Sequence, residues 1–195
     1  MTEPRLAPLP RDEWDDSVRD ALRKGIGDVA AERYLADESV PVPTVIATLL
    51  HHPTLASRFL AYNMELLQRP TLDARLRELM VLRVAYRTRA PYEWAQHVRM
   101  AESLGITPDE IAAISGANGN WKPLEATLLA ATDQLIDNYR VDDDTWHALA
   151  AELSEQQLVE VLFVVGTYTA LAMAFNSFGL QLDADLQATT IPFEE

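Results

Sequence analysis

The chain has 195 residues, 48% of them apolar, with 30 acidic and 16 basic side chains, a net charge of −14 and no cysteine. That length makes one domain, or one domain with an N-terminal arm, and suffices for a sizeable core. The negative field argues against nucleic acid or an anionic membrane as partner, and the missing cysteine removes disulfides, thiolate nucleophiles and Cys-ligated metals together.

Residues 1–12 are rich in proline and charge and lack periodicity, which predicts an extended arm. They hold no apolar run of signal-peptide type, so a cytoplasmic location is expected. Trp14, Val18 and Leu22 are spaced four apart, predicting a short amphipathic helix that ends near Gly25; a second is expected over Val29 to Ala36. After the Pro41 and Pro43 loop, Thr44 to His52 reads as a short helix, and Pro53 starts another carrying Leu55, Phe59, Leu60, Met64 and Leu67. His51 and His52, being adjacent, cannot face one side of a helix, which suits a cap or polar contact better than a metal.

A turn at Thr71-Leu72-Asp73 leads to a helix over Ala74 to Thr88, and Pro91 opens the next, closed by Gly105. Thr107 with Glu110 forms a capping box. Ser115 to Asn120 is a Gly/Asn-rich loop without a preceding strand, so it is not a phosphate loop. An amphipathic helix follows over Trp121 to Tyr139. Asp142, Asp143 and Asp144 lack the rest of a calcium loop and read as the start of the next helix. Ser154 with Gln157 caps the last helix, whose Val161 to Leu182 stretch runs 22 residues without a charge. Its flanks are acidic and it contains polar groups, which predicts a buried core or interface helix, not a membrane span.

With no convincing strand, the expectation is an all-α bundle of about eight helices. Its parts are an arm with short helices over 1–40, a helical domain over 41–183 and an irregular tail over 184–195.

The chemistry concentrates in Glu78 to His97, ELMVLRVAYRTRAPYEWAQH. Glu78 is the only acid in an apolar and basic helical run. Glu93 falls in the first turn after Pro91, where the helix dipole favours an anion, and His97 lies four residues on, on the same face. A carboxylate and an imidazole one turn apart suit acid/base work, although the same spacing serves a helix cap and a surface contact. Tyr92 and Trp94 flank the pair as candidate walls. In the uncharged last helix Thr169 and Asn176 share a face, with Tyr168 beside it; Asn176 is expected to be buried and to need a partner. Glu78, Glu93 and His97 form a possible metal set, but no other histidine clusters with them, so no metal and no cofactor are expected. Arg75, Arg77, Arg83, Arg87 and Arg89 either offset the acidic field for an anionic substrate or form a solvated face.

The segment LRELMVLRVAYRTRAPYEWAQHVRMAESLGITPDEI resembles the carboxymuconolactone decarboxylase family, which includes alkyl hydroperoxidase D. The peroxidase branch carries a Glu, a Cys-x-x-Cys at a helix start and a His four residues later. Glu78 and His97 match that Glu and His, while Ala90 and Glu93 stand at the cysteine positions. Thiol peroxidase chemistry is thereby lost, and the chain is similar instead to Cys-free members with the Tyr92 to His97 string. The resemblance implies an all-helical, alkyl hydroperoxidase D-like fold that assembles as a dimer, trimer or hexamer. It implies a lyase or isomerase acting on a small lactone or keto acid, with His97 as general base or acid, and Glu78 or Glu93 holding its tautomer. Tyr92, Trp94, Tyr168 and Asn176 would then contact substrate. The alternative is a non-catalytic helical ligand-binding or assembly protein with a structural Glu93/His97 pair.

Overall fold

The computed structural model describes residues 3–68, 70–116 and 119–193. Among the described residues there are ten α-helices and no strand. They are α1 (Asp16–Ile26), α2 (Asp28–Leu35), α3 (Thr44–Leu49), α4 (Pro53–Gln68), α5 (Ala74–Arg87), α6 (Pro91–Ser103), α7 (Pro108–Ile114), α8 (Pro123–Asn138), α9 (Asp143–Glu152) and α10 (Glu155–Phe178). The all-α expectation therefore holds, with short pieces such as α3 and α7 raising the number above eight. The predicted loop over Ser115 to Asn120 includes residues 117 and 118, which lie outside the described residues.

The chain forms two compact units, residues 3–68 with Ser177–Asp183, and Pro70–Asn176 with residues 184–193. In the first, α1 packs on α4 around Trp14, Val18, Leu22, Leu50 and Leu60. Gly25 makes the approach possible, because a Cβ there would stand 2.9 Å from the Leu60 Cβ. Residues 3–10 lack regular structure before a 3-10 turn at Arg11–Glu13, and they are tied down: the Arg5 and Leu6 N–H groups donate to the Phe178 carbonyl, and Leu9 N–H to Ala47. His51 contacts the Ala7 carbonyl at 2.9 Å, and His52 Nδ1 accepts from Leu55 N–H at the start of α4, the polar and capping roles expected of them.

In the second unit α5 is central. Leu79, Met80, Val81, Leu82, Val84 and Ala85 are fully buried, and α6, α7 and α8 pack around them. The arginines on this helix are consumed by internal acids and do not form a solvated or anion-attracting face. Arg75 binds Glu110 and Glu125, Arg83 binds Asp133, and Arg87 binds Asp133 and Asp137. The capping boxes at Thr107/Glu110 and Ser154/Gln157 both form, and Asp142 caps α9 through Thr145 N–H.

By length and composition α10 is apolar enough to cross a membrane, and half of its most apolar window is buried. Residues 187–193, after one 3-10 turn, are irregular but anchored. Trp94 Nε1 donates to the Thr190 carbonyl at 3.1 Å, and Phe193 packs edge-on against Trp94 and Tyr86.

Candidate active site

The site is assembled by the hairpin of α5 and α6. Asp73 starts α5 by accepting from the Arg75 and Leu76 N–H groups. Arg89 then adopts a left-handed conformation, φ +52°, which reverses the chain in three residues; Ala90 N–H closes the turn on the Ala85 carbonyl. Pro91 begins α6 at a position where its missing N–H costs nothing. The returning helix lays His97 beside Glu78, and both are buried.

His97 Nδ1 donates to Glu78 Oε2 at 2.6 Å. The other carboxylate oxygen, Oε1, accepts from Arg77 Nε at 3.1 Å and Nη2 at 2.9 Å. Burial pushes the Glu78 carboxyl up, but His97 first and Arg77 second outweigh it, so its pKa falls below the ordinary value. An ionised carboxylate only accepts, so the Nδ1 hydrogen is fixed and Nε2 is the nitrogen left for chemistry. Of the two acids, Glu78 is the one in contact with Nδ1. Arg77, noted in the sequence only as one of a basic cluster, is the third member. Its signal was the adjacency of Arg77 and Glu78 inside an otherwise apolar run.

Glu93 behaves differently. It is 1% exposed, and neither carboxyl oxygen has a hydrogen-bond partner. It makes no clasp with His97. Desolvation drives its pKa well above the ordinary range, favouring the neutral acid. The expected helix-dipole contact between an anion and the α6 N-terminus is absent for that reason: a dipole contributes about 0.3–1 kcal/mol, much less than dry burial of a charge costs.

Tyr168, in the middle of α10, completes the cluster. Its ring stands perpendicular to the His97 imidazole with centroids 4.9 Å apart. Its buried hydroxyl also lacks a partner. Burial first, then the nearby Glu78 and Glu93, push its pKa beyond the usual phenol range, so it stays a donor.

The other candidates make contacts of their own. Tyr92 is buried edge-on against Phe175, and its hydroxyl accepts from Gln96 Nε2 at 3.1 Å. Trp94 points the other way, into the core with Tyr86 and Phe193. It also lines a cleft of about 530 Å³ with Val98, Ile111, Leu186 and Thr190, none of which is part of the His97 cluster. Asn176, expected to be buried, is exposed, and its amide donates to the Thr88 carbonyl at 2.9 Å, closing the end of α5. The Thr169 hydroxyl is returned to the Val165 carbonyl of its own helix. Among the described residues, no group of three His, Asp or Glu side chains is placed to hold a metal ion.

Residues 53–133 match the model of the carboxymuconolactone decarboxylase family. No curated protein sequence matches the chain. Solved structures do. A peroxidase-related protein of Ralstonia eutropha JMP134 with an alkylhydroperoxidase AhpD core superposes with TM-score 0.74 at 16% identity, covering 95% of this chain and 96% of that one. A peroxidase-related protein of Silicibacter sp. TM1040 gives 0.76 at 13% identity, covering 97% and 98%. The debrominase Bmp8, in a complex with 2,3,4-tribromopyrrole, gives 0.72 at 17% identity, covering 94% of each chain. At such identities these likenesses establish the fold alone. The matched segment contains the whole α5–α6 hairpin with Glu78, Glu93 and His97, and it is in this segment that the chain is similar to the carboxymuconolactone decarboxylase family.

Proposed function

We propose that the protein is a cofactor-independent lyase or isomerase that moves a proton on a small carbonyl-activated substrate, a lactone or keto acid. His97 Nε2 is the group that takes or returns the proton. Glu78 fixes the ring through Nδ1 and stabilises the imidazolium when it forms, and Arg77 keeps Glu78 ionised and in place. Thiol peroxidase chemistry is not available to a chain without cysteine.

The observation that carries this reading is the contrast between the hydrogen-bonded Arg77–Glu78–His97 chain and two buried groups beside it, Glu93 and Tyr168, whose polar oxygens have no partner. A buried polar atom without a partner costs about 1–3 kcal/mol. A structural clasp would remove that cost by pairing Glu93 with His97. Titratable groups with perturbed acidity beside an oriented histidine are what proton transfer requires.

The test is a thermal-shift screen of small lactones and keto acids on the wild type, followed by turnover assays on any compound that stabilises it. A stabilising compound should be converted by the wild type, and His97→Asn should remain folded with at least a hundredfold lower kcat, the scale of general-base catalysis. Equal turnover by wild type and His97→Asn would end the reading. A compound that binds through His97 but is never converted would favour a ligand-binding protein instead.

A further inference from the structure

We propose that Tyr168 Oη and the Glu93 carboxyl act together as hydrogen-bond donors to the oxygen of an enolisable carbonyl substrate, holding it as it becomes an enolate. The inference rests on the proton-transfer reading of His97 and assigns the substrate's reacting group and the residues that receive it.

Three observations converge. The Glu93 oxygens and the Tyr168 hydroxyl are the unpartnered buried atoms of this cluster, and each belongs to a residue at most 2% exposed. Both residues flank the base: Glu93 lies one helical turn before His97 on the same face, and the Tyr168 ring lies 4.9 Å from the imidazole. Burial disfavours the anion of each and so favours the protonated form, and for Tyr168 the adjacent Glu78 carboxylate adds to it. A neutral carboxyl in a dry site donates a hydrogen bond as a phenol does. Preorganised donors of this kind act where charge develops in the transition state.

The charges balance around the step. Before reaction, Arg77 and Glu78 cancel, and His97 must be a neutral imidazole to act as base. Nε2 removes the proton from the carbon next to the carbonyl; the C–H electrons form the C=C bond, and the carbonyl π pair moves to oxygen. The site then holds Arg77, Glu78 and an imidazolium, a net single positive charge that matches the new oxyanion. In isomerisation the imidazolium returns its proton to a different carbon. In decarboxylation Nε2 first takes the proton of the substrate's carboxyl group, the C–C electrons enter the same enolate as CO₂ leaves, and the enolate carbon takes that proton back from the imidazolium. Both routes need the oxygen held, and neither needs a redox partner.

A phenolate reproduces the charge and oxygen of an enolate without reacting, so the probes are 4-nitrophenol, followed by its absorbance near 400 nm, and the smaller 4-fluorophenol, followed by fluorine NMR. The wild type should bind both and take up 4-nitrophenol ionised at pH 7. Tyr168→Phe and Glu93→Leu should each weaken phenolate binding by about tenfold or more, the effect of one hydrogen bond to a charged group. Glu93→Gln keeps an N–H donor and should stay within about threefold. His97→Asn should also bind, because holding the oxygen does not require the base. Melting curves show which variants are folded. Binding by neither phenol, or equal affinity in wild type, Tyr168→Phe and Glu93→Leu, would overturn the donor pair. His97-dependent turnover with affinities unchanged across those variants would leave the proton-transfer reading standing and sink the pair; donor-dependent phenolate binding without turnover of any lactone or keto acid would do the reverse.

Discussion

Glu78 and Glu93 are both buried carboxyls on neighbouring helices, and their surroundings drive them to opposite protonation states. Glu78 has an N–H donor on each oxygen, from Arg77 and His97, which favour its ionised form; Glu93 has none, and burial favours its neutral form. Substituting each should move stability in opposite directions. Glu78→Gln leaves the buried Arg77 guanidinium without its counter-charge and should cost about 3 kcal/mol in urea unfolding at pH 7. Glu93→Gln removes a carboxyl that ionises more readily in the unfolded chain than in the folded one. Its raised pKa means the wild-type residue's contribution is intact below about 4.5 and is lost as pH rises toward the folded value. Glu93→Gln should therefore gain about 1–3 kcal/mol over wild type at pH 8 and much less at pH 4.5. A gain that is equal at both pH values would refute the assignment of Glu93 as the buried acid. The sequence made Glu78, Glu93 and His97 candidates because spacing and family resemblance act along the chain. It could not say which acid faces Nδ1, because that depends on how α6 rotates against α5. The burial expected of Asn176 failed for a similar reason: an apolar neighbourhood in sequence, MetAlaPheAsn, does not fix which side of the helix faces out.

At the scale of elements, legibility followed local chemistry. Prolines at first positions, Asp73, Thr107, Asp142 and Ser154 mark helix starts that depend only on residues within a turn. The tail was illegible as an anchored segment, since its fastenings, among them the Trp94 to Thr190 bond, the Arg99–Asp185 ion pair and the packing of Ile191 and Phe193, form across about a hundred residues of sequence. Close helix approach is the other feature that leaves little local trace. Gly25→Ala raises helix propensity by about 1 kcal/mol, which by itself would stabilise α1. The added methyl must displace Leu60, whose Cβ and Cδ1 would stand 2.9 and 3.1 Å away, and the Ser57 Cα lies 3.5 Å off. Overpacking costs about 1–3 kcal/mol, so the net effect should be a loss of about 1 kcal/mol in chemical denaturation. Gly25→Ala together with Leu60→Val, which takes carbon away from that contact, should be less destabilised than the two single changes summed. Simple additivity would mean that the glycine is not there for packing.

Over the whole molecule, the paired acids and the unpaired one set two limbs of pH dependence. Arg75 draws the Glu110 carboxyl down to about 2. Asp133 is pushed up by burial but drawn further down by Arg83 and Arg87, and Glu160, likewise buried in part, is lowered by the Thr71 and Leu72 N–H groups. Each lowered pKa is stability present above the ordinary carboxylate value and lost as pH falls through the folded value. The unit of Pro70–Asn176 should thus weaken steeply from about pH 4.5 toward pH 2, where its ion pairs with α5 are dismantled. Above about pH 4.5 Glu93 works in the other direction, and repulsion within a chain of net charge −14 adds to it. Urea midpoints read by circular dichroism should therefore peak on the acid side of neutrality. Two controls separate the causes of the upper limb. Sodium chloride at about 0.5 M screens exposed charges, with a Debye length of only a few ångströms, and should flatten the repulsion. It should leave the Glu93 part, which is desolvation in a dry site, and Glu93→Gln should remove that remainder without moving the acid limb. An upper limb abolished by salt alone would mean that Glu93 ionises freely, and the donor role assigned to it in the His97 cluster would fall with it.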